Sequence, residues 1–178
     1  MFALWTLFTL GCTDDTTDSG DSGPVVLDCA AGSPTPYPVG TGSWSALTGD
    51  GLYNHCENDA GNGPHIHTGN TDALDFVEDG DCLYTTANET FPADMQGYHD
   101  GTDFEIEGSF VEEWGTCELQ VDATFAGTMT DADTFTYTFH LKVTDLNEYC
   151  AVAVGETDAH TYKQLPCELS WTGTATRD

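Results

Sequence analysis

Basic residues are almost missing from this chain. Lys142, Lys163 and Arg177 are the whole complement, set against 31 acidic residues, for a formal charge of −28. Nucleic-acid binding needs cationic side chains to displace counterions, so that class is excluded. Attraction to anionic lipid headgroups is disfavoured for the same reason. The acidity fits a highly soluble surface or a salty medium that screens self-repulsion. The acids are spread along the chain rather than gathered at ligand spacing. Long apolar runs are also missing, and no segment repeats apolar residues at the helical period. A helix crossing a membrane needs roughly 20 apolar residues, and none is present. No fixed-period repeat occurs. The chain has no GxSxG, HExxH, P-loop or GxGxxG pattern, so the common hydrolase, metalloprotease and nucleotide signatures do not apply. No two cysteines form a CxxC pair, which argues against a zinc ribbon or a thioredoxin-type redox site.

What is present is a strand pattern. In FEIEGSF, Phe104, Ile106 and Phe110 alternate with Glu105, Glu107 and Ser109. CELQVDATFAG, TFTYTFHLKV and CELSWTGTAT repeat the same period of two. Such alternation puts one face against a core and the other in water. The gaps EEWGT and MTDAD are short, which makes neighbouring strands antiparallel. The first half is punctuated by Pro, Gly, Asn and Asp. Short strands are expected there near Val25–Cys29, Gly42–Leu47, Ala73–Val77 and Cys82–Thr86. The expected fold is all-β: an antiparallel meander of about eight strands, closing as a sandwich or an up-and-down barrel.

The cysteines bound the compartment. Besides Cys12 there are six, at Cys29, Cys56, Cys82, Cys117, Cys150 and Cys167. An even set of this kind reads as three disulfides formed in an oxidising compartment. Spacing favours Cys150 with Cys167 and Cys56 with Cys82. Cys117 lies on the apolar face of its strand, so its bridge is expected to pass through the core.

The N-terminal segment MFALWTLFTLGCTDDTTDSGDSG behaves differently. Met1 to Gly11 is uncharged and has the size of a signal-peptide apolar region. With Leu7, Thr9, Leu10, Gly11 and Cys12 it resembles a bacterial lipoprotein precursor. That resemblance implies removal of residues 1–11, acylation of Cys12 and attachment to a membrane on its extracytoplasmic side; without acylation the protein is secreted. The Asp-rich stretch to residue 23 cannot bury enough apolar surface to order itself. It is expected to be an extended acidic linker, with residues 24–178 forming a single domain.

Few residues suggest chemistry. In HCENDAGNGPHIH, His65 and His67 are two apart and would point the same way on a strand. His55, Glu57 or Asp59 could complete a zinc or copper site, either for binding or for metal-dependent hydrolysis. Asp79, Asp81, Asp100 and Asp103 sit in turn-like segments, with calcium as the alternative to a plain turn. No cofactor is otherwise implied. His140 is expected to be exposed among threonines. Trp44, Tyr53, Tyr84, Trp114 and Tyr149 lie in or near expected loops, as strand-end core or as a binding platform. The main expectation is a non-enzymatic binding or structural module for a protein, glycan or small ligand. A metal-dependent protein and a carrier with a barrel cavity are the alternatives.

Overall fold

The computed structural model of the chain describes residues 39–57, 68–87, 91, 93–100, 102–114, 116–148, 150 and 162–178. Within them run eight strands: β1 (Gly42–Asn54), β2 (Thr71–Asp79), β3 (Cys82–Thr85), β4 (Met95–Asp100), β5 (Asp103–Trp114), β6 (Cys117–Asp131), β7 (Thr134–Asp145) and β8 (Cys167–Arg177). Each pairs antiparallel with the next, and β8 pairs back onto β1. The fold is therefore the closed up-and-down barrel rather than the sandwich. The strands expected in residues 42–47, 73–77 and 82–86 are β1, β2 and β3. The strand expected at Val25–Cys29 lies outside the described residues, as do Cys12 and the expected linker.

Side-chain period decides which way each strand faces. On β6, Cys117, Leu119, Val121, Ala123 and Phe125 are buried, while Glu118 and Asp122 are exposed. On β7, Phe135, Tyr137, Phe139 and Val143 are buried. The charged face thus points outward. That is the reverse of a barrel that faces lipid. Among the described residues no helix is long and apolar enough to cross a membrane.

Among the described residues the barrel has two core clusters. The larger fills its middle with aromatic rings from Trp44, Phe76, Phe91, Phe104, Phe125, Phe135, Tyr137 and Phe139. Phe125 stacks on Tyr137 at 4.9 Å and meets Phe91 edge-on at 5.3 Å. Phe104 meets Phe135 at 5.2 Å. Each such pair adds about 0.5–1.5 kcal/mol beyond the area it buries. Eight strands leave an interior that side chains can fill, and here they are large. Trp44, expected near a loop, is fully buried in this cluster.

The second cluster contains two disulfides. Cys56 is bonded to Cys167 and Cys117 to Cys150, among Leu119, Val121, Val143, Tyr162 and Leu169. The pairings favoured by spacing, Cys150–Cys167 and Cys56–Cys82, are not formed. Barrel closure is the reason. Asn54 lies opposite Leu169 across the β1–β8 seam, and continuing that register sets Cys56 opposite Cys167. The Asp145 carboxylate accepts from the backbone N–H of Asn147 (3.1 Å), Glu148 (2.9 Å) and Cys150 (3.2 Å). That turn brings Cys150 back to Cys117, whose bridge packs into the core as expected. Cys82 is disulfide-bonded as well. Disulfides of this kind form in an oxidising, extracytoplasmic compartment.

Candidate functional site

Two outward rows of side chains run across the barrel wall. One joins Thr172, Thr138, Ala126, Glu105 and Tyr98 on β8, β7, β6, β5 and β4. The next joins Leu47 on β1 to Thr174, Thr136, Thr128, Asp103 and Asp100. Threonine suits an exposed strand position through its β-branched side chain. Here three adjacent strands present it side by side. An open groove of about 900 Å³ lies over these rows.

Its shape has a cause inside the barrel. Gly127 and Gly173 lie between the two rows and face inward. A Cβ on Gly127 would come within 2.2 Å of the Phe104 ring, and one on Gly173 within 2.3 Å of the Tyr137 ring. The rings occupy the space that side chains would take, so the wall is thin there. Burial pushes the Tyr137 hydroxyl above its ordinary pKa; a hydrogen bond with Thr48 opposes this and nearby Asp72 adds to it. At one rim, β1 shifts register between Thr48 and Gly51. The shift sets the Asp50 carbonyl within 3.4 Å of the Thr172 hydroxyl.

The groove carries charge of one sign. Asp50, Asp100, Asp103 and Glu105 line it and are exposed. Asp103 accepts a hydrogen bond from the Thr128 hydroxyl at 2.7 Å. None of the chain's basic residues lines it. Arg177 is held at the barrel end, 4.5 Å over the Trp44 ring and donating to the Val39 carbonyl at 2.8 Å. Lys142 sits between Asp122 and Glu168 on the other half of the wall. Leu47 and Tyr98, at 50% and 45% exposure, mark the two ends.

The residues singled out from sequence are placed as follows. His55 is exposed and stacks on Tyr53 at 5.0 Å. His65, His67 and Asp59 lie outside the described residues. Glu57 turns back to Asn54, whose side chain donates to it at 3.4 Å. Among the described residues, no group of three His, Cys, Asp or Glu side chains is placed to share a metal. Asp79 ends β2 and Asp81 lies in the β2–β3 turn, while Asp100 and Asp103 face each other as the last residue of β4 and the first of β5. His140 does face outward, but it is half-buried and hydrogen-bonds through Nδ1 to the Tyr53 hydroxyl at 2.9 Å. Trp114's side chain and Tyr149 lie outside what is described.

A polar cluster at the hairpin end escaped the sequence reading. His99 is buried; its Nε2 approaches the Gly80 carbonyl at 3.1 Å and Glu78 at 3.8 Å. Its Nδ1 is buried without a hydrogen-bond partner. Inward-facing polar residues give no periodic signal of their own, so only the pairing of β4 reveals this one.

No family model, no curated protein and no solved structure matches the chain.

Proposed function

We propose that this protein is a lipid-anchored, extracytoplasmic binding module that takes its ligand on the outer wall of the barrel. The groove over the β4–β8 wall carries this reading: it is an open recess lined by side chains of β1 and β4–β8, while aromatic rings occupy the middle of the barrel. The resemblance of residues 7–12 to a lipobox supports the anchor, and the Asp-rich stretch behind Cys12 supports a spacer between membrane and domain. Closure of β1 onto β8 leaves no free edge along the seam for strand addition.

Two experiments test this. Mass spectrometry of the protein taken from its native membrane should find Cys12 acylated as the first residue. An intact Met1 or an unmodified Cys12 refutes the anchor. Ligands found by screening peptides, oligosaccharides and small molecules should lose affinity for Thr136→Trp, which fills the groove. A ligand whose binding ignores that substitution refutes the outer-wall site.

A further inference from the structure

We propose that the groove takes an extended, Lys/Arg-bearing segment of a partner polypeptide. The inference rests on the outer-wall reading above and names the ligand of that site. Its first support is charge complementarity. Four exposed carboxylates line a concavity that no Lys or Arg lines. A cleft of one sign with low-dielectric walls focuses its field and raises the local concentration of the opposite charge. On β8 Arg177 lies three residues from Thr174, about 10 Å along the strand, and is held at the barrel end over Trp44; on β7 Lys142 lies four residues from Thr138, about 14 Å away. A second copy of this chain, at −28, is repelled, and so is the chain's own Asp-rich N-terminal stretch.

The second support is shape. Leu47 and Tyr98 stand at opposite ends of the groove, on β1 and β4. The path between them crosses β8, β7, β6 and β5, so at the usual strand spacing it is about 24 Å long. An extended peptide of about seven residues covers that distance. Carboxylates lie towards both ends, Asp50 at one and Asp100, Asp103 and Glu105 at the other. The threonines between them supply hydroxyls for backbone groups of the peptide, and the end residues supply apolar contact. The arrangement suits a segment with basic side chains towards both ends and small residues in its middle.

The test uses the whole chain and fluorescence anisotropy. Heptalysine is the probe, with heptaglutamate, a glucosamine hexamer and its N-acetylated form as comparisons. Heptalysine should bind, and the binding should fade as salt rises to about 0.5 M. The variant Asp100→Asn/Asp103→Asn/Glu105→Gln should weaken it about tenfold. A control, Glu113→Gln/Glu118→Gln/Asp122→Asn, removes as many charges from the same wall outside the groove and should change binding less than twofold. Thr136→Lys, a single change at an exposed position, should weaken it as well. Equal loss in the two triple variants means diffuse attraction to an acidic protein and overturns the proposal. Tighter binding of the N-acetylated hexamer, abolished by Thr136→Trp, overturns the basic peptide but keeps the groove. Binding of the glucosamine hexamer equal to heptalysine overturns the polypeptide. Failure of Thr136→Trp to affect any probe removes the groove reading itself.

Discussion

Replacing Cys56 and Cys167 together with alanine removes the covalent link across the β1–β8 seam. The bridge spans 111 residues of sequence. The inner Cys117–Cys150 bridge, with a separation of 33, shortens the path around that loop to about 79 residues. In the chain-entropy account, closing such a loop stabilises the folded state by about 4.5 kcal/mol, against about 3.7 kcal/mol for the inner bridge alone. Both Cys56 and Cys167 are buried, so alanine leaves a small void but no unpaired polar group. For a chain of this size, 1 kcal/mol moves the melting temperature by about 2–4 °C, which gives a fall of about 9–18 °C. Urea titration followed by tryptophan fluorescence is the assay. The midpoint should fall further for Cys56→Ala/Cys167→Ala than for Cys117→Ala/Cys150→Ala. The reverse order, or a loss below about 1 kcal/mol for the seam bridge, would refute the reasoning.

Three further outcomes follow from the core and the charge. Gly127→Ala should cost about 1–3 kcal/mol by forcing the Phe104 ring aside, as a thermal melt will show; no loss would mean the ring does not lie over the glycine. Tyr162 is 2% exposed, and burial, then Glu112, push its hydroxyl up to about 12. The folded state therefore holds this proton more tightly than the unfolded chain. Its contribution is intact below about pH 10 and lost between about 10 and 12, amounting to up to about 3 kcal/mol. Urea midpoints across that window should fall less for Tyr162→Phe than for the native chain, and equal slopes would contradict the assignment. Sodium chloride to about 0.5 M should raise the melting temperature, because screening relieves the self-repulsion of a −28 chain; a fall on adding salt would contradict that.

The strands that sequence made legible are those with clean alternation. β6 and β7 place an apolar residue at nearly every inward position, so their period shows at once. β4 stayed hidden because its inward set is Met95, Gly97 and His99. A Cβ at Gly97 would come within 1.9 Å of the Glu105 carbonyl oxygen, so close approach of β5 fixes glycine there and erases the hydrophobic signal. The sandwich and the barrel remained alternatives because closure is a pairing between the first and last strands, which local pattern does not encode. The disulfide pairing went wrong for the same reason: Cys56 and Cys167 meet only through that closure. The groove was illegible as well. Its threonines come from three strands and form rows only once register is known, and its shape depends on where Phe104 and Tyr137 lie inside.

Amide mapping tests the outer-wall site most directly. An isotope-labelled full chain titrated with heptalysine is predicted to shift the amides of Ala126–Thr128, Thr136–Thr138 and Thr172–Thr174 together, with those of Leu119, Val121 and Val143 unmoved. Shifts scattered evenly over the acidic surface, or confined to residues away from those three segments, would contradict the account.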